Sequence, residues 1–360
     1  MNTKKWERVL RNMKIHNVEE MIITSPSYIF YLTGLSVEPG ERLLAIHVKE
    51  NGDKKLFINE LSKSSCVGLD MAIKFYNDND DPITILAKSI EKNKIVGIDK
   101  NWPSHFLIEL INERSDMKFV NSSLIIDEVR MIKDEDELKL LREASLVVDK
   151  VVMDLIASIP EKLSEKEMEN KVKELFKKYG TDKMSFDPIV AYGANAADPH
   201  HVGNNDHAKN GDCVLMDIGG KTNSYCSDTS RTVFLGEPCA EAKKVYEIVL
   251  EANIAAMAII KPGVKFSDID KTARKIIEKA GYGEFFTHRT GHNIGIEDHE
   301  YPDVSTINGM EVQKGMVFSV EPGIYLEGKF GVRIEDLVIV TEDGYEILNH
   351  TSKDYKVIKF

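Results

Sequence analysis

The second half of this 360-residue chain carries one pattern of helix punctuation twice, and a duplicated unit restricts the fold more than any single motif does. The apolar spacing predicts a helix over about 135–158 that ends near Pro160. Ser164 then caps a second helix, with Glu167 at the capping-box position, and Gly180 stops it. The same order returns as a helix over about 240–260, then Pro262, then a helix capped by Ser267 that runs to Gly281. Pro160 and Gly180 lie 20 positions apart, Pro262 and Gly281 19. Each unit is followed by histidine and then by two carboxylates set in apolar strands. These are His200, Asp217 and Asp228 in the first unit, and His292, His299, Glu321 and Glu335 in the second. Agreement in both punctuation and acid placement predicts a duplication.

Ahead of this repeat the pattern changes. Short apolar runs at 20–24, 43–48, 55–58 and 94–99 alternate with helical stretches such as 83–92 and 104–114, which predicts a small α/β domain. Its histidines His47 and His105 stand without clustered partners and read as packing or surface residues. Turn-like Asn121-Ser122-Ser123 precedes Asp134-Glu135-Asp136-Glu137, whose acids suit the N-terminus of a long helix. The expected domains are 1–125 and 126–360, packed together, since no Pro-, Gly- or Ser-rich linker separates them.

The acids demand a partner. Asp217 sits in the apolar strand Cys213-Val214-Leu215-Met216-Asp217-Ile218-Gly219-Gly220, and Asp228 sits in the also strand-like Tyr225-Cys226-Ser227-Asp228-Thr229-Ser230-Arg231-Thr232-Val233-Phe234. The turn-forming Gly219–Ser224 between them lets the two strands pair as a hairpin. Taken singly, either acid could be held by Arg231. Glu321 ends Met316-Val317-Phe318-Ser319-Val320 before a Pro322-Gly323 stop, and Glu335 lies in the strand read over Gly331–Val340, where Arg333 shares its face. Four carboxylates in one core repel one another, and Arg333 alone is too little to balance them. Two divalent cations would. His292 offers a nitrogen ligand, and His200, His201, His288, His292 and His299 concentrate half of the chain's ten histidines in this region.

Composition narrows the partners. The net charge of -12 gives nucleic acid and anionic membrane surfaces nothing to attract, so neither is expected as a partner. No run of about 18 apolar residues is present, so no membrane span is expected. The charged start, Met1-Asn2-Thr3-Lys4-Lys5-Trp6-Glu7-Arg8, reads as an amphipathic helix without the apolar core of a signal peptide. Cys66, Cys213, Cys226 and Cys239 form no C-x-x-C pair, which fits reduced thiols and a cytoplasmic protein.

At this point a family resemblance is plain. Phe186-Asp187-Pro188-Ile189-Val190-Ala191-Tyr192-Gly193 with Pro199-His200, Met216-Asp217-Ile218-Gly219, Ser227-Asp228, His288-Arg289-Thr290-Gly291-His292, Val320-Glu321-Pro322-Gly323-Ile324-Tyr325 and Gly331-Val332-Arg333-Ile334-Glu335-Asp336 resemble the Xaa-Pro dipeptidase (prolidase) and aminopeptidase P family. The resemblance covers about 130–350, and the first 125 residues look like that family's smaller N-terminal domain. It implies an α+β chain: a pita-bread, creatinase/aminopeptidase-like domain with pseudo-twofold symmetry behind an α/β domain. It also implies a metal role for Asp217, Asp228, His292, Glu321 and Glu335, with Asp228 and Glu335 bridging two ions. An oxygen-rich site with one imidazole suits Mn²⁺, or else Co²⁺ or Fe²⁺. By the same resemblance Glu321 shuttles a proton, His200 and His299 bond the substrate carbonyl and oxyanion, and His288 and Arg333 line the pocket. The implied substrates are small peptides with proline second, and the implied assembly is a homodimer.

Three departures stand out. Asn293 replaces the glycine usual after the metal-binding histidine, where Asn still tolerates positive φ. Ser230 replaces a threonine. Asp303 stands where some dipeptidases carry a basic residue suited to a substrate carboxylate, which weakens a strict dipeptidase reading. The expectation is a manganese-dependent Xaa-Pro dipeptidase. The alternatives are an aminopeptidase P acting on longer peptides, a metal-free creatinase-like hydrolase and a non-catalytic binding protein.

Overall fold

The computed structural model describes residues 3–181 and 183–359, so Met1 and Asn2 of the N-terminal reading lie outside it. Two units divide between Arg130 and Met131. The first contains α1 (Thr3–Ile15), β1 (Glu20–Ile23), α2 (Pro26–Thr33), β2 (Ala45–Lys49), β3 (Lys54–Asn59) and β4 (Ala72–Tyr76). It continues with α3 (Pro82–Ala87), β5 (Ile95–Ile98), α4 (Ser104–Glu113), β6 (Lys118–Asn121) and α5 (Ser123–Arg130). The strands form one mixed sheet in the order β4-β3-β2-β1-β5-β6. Its apolar face, with Ile22, Phe57 and Val96, packs on Leu86 of α3 and Leu110 of α4. Helix α3 is shorter than the 83–92 expected. It ends at Ala87, and the Ser89 hydroxyl donates to the Leu86 carbonyl just past its end. His47 is better partnered than its isolation in sequence implied: its Nε2 lies 2.6 Å from Glu20 Oε2, both buried in the sheet, and its Nδ1 3.0 Å from Ser89 Oγ just past α3.

The second unit opens with α6 (Glu135–Ser158), α7 (Glu165–Lys178), β7 (Ile189–Tyr192), β8 (Cys213–Ile218), β9 (Lys221–Thr222), β10 (Tyr225–Cys226) and β11 (Thr229–Leu235). It repeats with α8 (Ala240–Ala258), α9 (Phe266–Lys279), β12 (Gly291–Asn293), β13 (Glu300–Val304), β14 (Val317–Val320), β15 (Gly323–Leu326), β16 (Phe330–Arg333) and β17 (Asp336–Val340). Strands β18 (Tyr345–Ile347) and β19 (Val357–Ile358) follow. One sheet runs β19-β11-β8-β7 and the other β13-β12-β14-β17-β18, with β9-β10 and β15-β16 as separate hairpins. The duplication is therefore topological. In each half the central strand pairs antiparallel with the strand that follows a small intervening hairpin: β8 with β11, and β14 with β17. Each half also packs its two helices on its own sheet. Val148, Leu155 and Phe176 meet Val190, Met216 and Val233 in one, and Val245 and Ile269 meet Phe318 and Val338 in the other.

Local punctuation explains why the helices start and stop there. Capping boxes form at Asp134/Glu137 and at Ser164/Glu167, each satisfying N–H groups at a helix N-terminus. Gly180 and Gly281 take left-handed φ values of 87° and 89°, the conformation that a glycine stop requires. Ser267, however, is not a cap. Lys265 occupies the N-cap of α9 without a side-chain bond, because the Phe266 and Ser267 N–H groups donate to the Met310 and Asn308 carbonyls. Backbone from a neighbouring segment does the work a cap would do. The strand read over Gly331–Val340 is also two strands. Its pairing changes from β15 to β14 at Ile334-Glu335, where the Ile334 and Glu335 N–H groups turn to Pro322 O and Ser230 O. Among the described residues, no helix is long and apolar enough to cross a membrane.

Candidate metal centre

The strand ends decide where the acids point. Asp217 is on β8 opposite Ser230, Asp228 immediately precedes β11, Glu321 immediately follows β14, and Glu335 immediately precedes β17. His292 lies on β12, which pairs with both β13 and β14. All five face one cavity of about 770 Å³, whose wall also holds His200, His201, His288, Arg289, Asp298, His299 and Arg333.

Oxygen and nitrogen atoms of Asp228, His292 and Glu335, all buried, lie within 4.8 Å of one another, close enough for a shared cation. His292 Nε2 is 3.6 Å from Asp228 Oδ2 and 3.4 Å from Glu321 Oε1. Its other nitrogen, Nδ1, is 3.2 Å from the Asn293 carbonyl. In the neutral ring Nδ1–H donates there, which leaves the Nε2 lone pair facing the carboxylates. Asp217 Oδ1, Asp228 Oδ1 and Glu335 Oε1 are buried with no hydrogen-bond partner. Three orphaned anionic oxygens in one pocket are costly unless a cation takes them. The donor set therefore fits divalent metal, hard in character with one imidazole.

The electrostatics agree. Burial first, then the neighbouring Glu335 and Asp217 carboxylates, hold the Asp228 carboxyl far above the ordinary range. Glu335 is raised in the same way by burial, Glu321 and Asp217. Burial pushes Glu321 up to about 7, against the pull of Arg333. Burial, then His299, takes His292 down to about 3, so its ring is neutral. Arg231 serves neither acid it was weighed against. Its guanidinium pairs with Asp336 at 2.7 Å. Arg333 instead donates to Asp217 Oδ2 at 2.6 Å, to Ser230 Oγ at 2.8 Å and to Tyr325 Oη at 2.8 Å. Ser230 Oγ in turn donates to Glu335 Oε2 at 3.0 Å, so the hydroxyl at this position is used.

His200, His288 and His299 join the cavity wall as expected from the sequence, but two departures read differently. Asp303 does not line the cavity. It is 39 % exposed, its carboxylate lies 3.8 Å from Arg289 Nη1, and it accepts from Ser305 and Asn308. Although Asp303 pairs with His292 across β12 and β13, its side chain turns to Arg289, Ser305 and Asn308 and is not part of the pocket wall. Asn293 needs no left-handed turn. It lies in β12 at a bulge, and its amide donates to the Pro302 carbonyl at 2.8 Å.

Sequence reasoning gave Arg289 no role, although it is the cation of the cavity wall nearest the histidines. Its Nη2 lies 2.9 Å from His299 Nδ1. Guanidinium only donates, so Nδ1 accepts and the proton of the neutral His299 ring resides on Nε2. Arg289 was visible as the sole arginine inside the His288–His292 motif. Tyr325 was also passed over. Its hydroxyl joins Arg333 to His288, at 2.8 Å from each.

Comparison with known proteins gives the same reading. The model of metallopeptidase family M24 matches residues 139–342, and that of the creatinase/prolidase N-terminal domain matches residues 5–132. An uncharacterized peptidase of Staphylococcus aureus is 38 % identical over 354 residues, 97 % of this chain and 99 % of its own. The solved prolidase from Thermococcus sibiricus superposes with a TM-score of 0.95 at 35 % identity, covering 99 % of this chain and 100 % of its own. An X-Pro aminopeptidase from Thermotoga maritima gives 0.82 at 30 % identity, over 97 % of this chain and 100 % of its own. With the duplicated sheets, the buried acid cluster and these matches together, the chain belongs to the M24 metallopeptidases, in the pita-bread family of prolidases and aminopeptidases P.

Proposed function

We propose that this chain is a dinuclear metal-dependent Xaa-Pro dipeptidase, with Asp217, Asp228, His292, Glu321 and Glu335 as the metal ligands. The observation that carries the reading is the set of buried, unpartnered carboxylate oxygens of Asp217, Asp228 and Glu335 beside the His292 lone pair. Bound divalent ions, Mn²⁺ by donor chemistry, supply charge balance for the acids, a Lewis acid for the scissile carbonyl and a lowered pKa for the attacking water. Glu321, which is at the cavity edge with Ser319 Oγ donating to its Oε1 at 3.2 Å, takes the proton from that water and passes it to the leaving proline nitrogen. His299, with its proton on Nε2, donates to the developing oxyanion, and His200 donates to the substrate carbonyl. Arg289, with a side chain 38 % exposed, binds the free carboxylate of the dipeptide. Tyr325 and Ser230 hold Arg333 against Asp217, keeping the ligand oriented.

Aminopeptidase action on longer peptides is the second reading. Two observations favour it: Asp303 beside Arg289 partly neutralises the proposed carboxylate anchor, and the cavity is roomy for a dipeptide. The test is to strip the protein with a chelator, refill it with Mn²⁺, Co²⁺ or Fe²⁺, and compare kcat/KM on Gly-Pro-type dipeptides and X-Pro-Y tripeptides. Metal-dependent preference for the dipeptide is the expected result. Preference for the tripeptide selects the second reading, and cleavage of neither removes both.

A further inference from the structure

The segment that brings His200 to the cavity leaves the buried end of β7 through a 3-10 turn at Gly193–Ala197 and then runs irregular and largely exposed, and a buried acid grips it on both sides of His200. Glu165, in the first turn of α7 and fully buried, spends both carboxylate oxygens on this segment. Its Oε1 accepts from the Tyr192 N–H at 2.8 Å and from Asn195 Nδ2 at 2.9 Å, ahead of His200. Its Oε2 accepts from His201 Nε2 at 2.7 Å and from the Asn204 N–H at 3.1 Å, behind it. One turn along α7, Glu169 accepts the Gly203 N–H at 2.8 Å. A Cβ at Gly203 would sit 2.3 Å from that carboxylate oxygen, so any larger residue there would push the Glu169 carboxylate off the Gly203 N–H. The other half carries the same device at the matching place. Ser164 and Lys265, each preceding its helix, form isolated bridges to His207 and Glu311, which aligns Glu169 with Asp270. Asp270 is also fully buried and accepts from the Thr290 N–H and hydroxyl, fixing the segment that bears His288 and His292.

We infer that Glu165, with Glu169, is a positioning residue of this peptidase that acts through His200 by fixing the 192–204 segment. The inference rests on the role given to His200 in the proposed reaction. Glu165 touches neither substrate nor reacting atoms. Its carboxylate converts a coil that would sample many conformations into one that presents the imidazole at a fixed place, and small misplacements of such groups cost rate steeply.

The experiment is a double-mutant cycle on the metal-loaded protein with an X-Pro substrate, joined to hydrogen–deuterium exchange of the 192–204 segment. Glu165→Gln is expected to lower kcat by about 10²-fold, to leave metal content and KM near wild type, and to add no further loss in a His200→Ala background. Exchange over 192–204 should rise while that over 288–292 stays unchanged. Gly203→Ala, which opens the clamp from the other side, should reproduce both effects, and it serves as the variant if Glu165→Gln does not fold. An equal loss in the wild-type and His200→Ala backgrounds, loss of metal, or unchanged exchange overturns the inference. A wild-type protein inactive on X-Pro peptides defeats the proposed function instead, and exchange still decides whether Glu165 holds the segment.

Discussion

Removing the metal should make the stability of this protein fall as pH rises past about 6.5, which is unusual for a chain rich in carboxylates. A carboxyl whose pKa is higher in the folded state than in the unfolded chain binds its proton more tightly when folded. Its favourable contribution is complete below the ordinary pKa and is lost as pH rises through the folded value. For Glu321 that window runs from about 4.5 to about 7. At 1.36 kcal/mol per pH unit, the span of 4.5 to about 7 amounts to about 3 kcal/mol. Asp228 and Glu335, also raised, act in the same direction. The buried imidazoles of His292 and His288, held down to about 3 and about 4, act in the opposite direction up to their ordinary value near 6.5, so the fall is expected above that pH, where only the raised carboxyls still titrate. Saturating Mn²⁺ should reverse the slope, because ligation needs the deprotonated acids and metal binding adds stability by mass action. The assay is denaturant or thermal unfolding with chelator and with Mn²⁺ at several pH values. A stripped protein whose stability stays flat or climbs above about pH 6.5 would refute the reasoning, since the acids would then have found charge balance within the chain.

Three further outcomes follow from the site. Asp228→Asn and Glu335→Gln should each abolish turnover and lower metal content while leaving the fold intact by circular dichroism. A variant with full activity and a full metal complement would remove that residue from the ligand set. His200→Ala and His299→Ala should each lower kcat by about 10²–10³-fold, the usual cost of one transition-state hydrogen bond, with metal retained by elemental analysis. Metal loss in either would make that histidine a ligand. Asp303→Asn should raise kcat/KM for X-Pro dipeptides over X-Pro-Y tripeptides by up to about five-fold, because a half-exposed ion pair is worth about 0.2–1 kcal/mol. An unchanged ratio would place the substrate carboxylate away from Arg289.

The large features of the fold were legible because their causes are local. The capping box at Ser164, the helix start at Asp134, the glycine stops at 180 and 281 and the carboxylates embedded in apolar strands all follow from near neighbours in sequence. The misreadings share the opposite cause. Ser267 was read as a cap because a serine before an apolar run is a local signal, whereas the N–H groups there are satisfied by Met310 and Asn308, some forty residues away. The long strand over Gly331–Val340 was read as one because its composition is uniform, whereas its two parts pair with different strands. Glu165 was hidden inside the helix that Ser164 caps, where an acid in the first turn has an ordinary explanation in the helix dipole. Its four bonds to residues at 192–204 have no signature in one dimension.

Asp303 shows how a correct departure can carry a wrong geometry. Its spacing from His299 put an acid near the site, and direct repulsion of a substrate carboxylate was the natural conclusion. Asp303 pairs directly with His292 across β12 and β13 and so shares its face of the sheet, yet its carboxylate is drawn off by Arg289, Ser305 and Asn308, contacts that sequence distance from His299 does not give. Asp303 therefore meets Arg289, and Arg289 meets His299. The acid acts on the site through the cation it holds. In the proposed reaction it would weaken the carboxylate anchor while steadying the guanidinium that fixes the protonated nitrogen of His299. Chain-length preference and transition-state hydrogen bonding are thus coupled through one side chain. A change at Asp303 that improves binding of a dipeptide should, by loosening Arg289, also reduce the rate at which His299 helps cleave it, so the gain belongs in KM rather than in kcat.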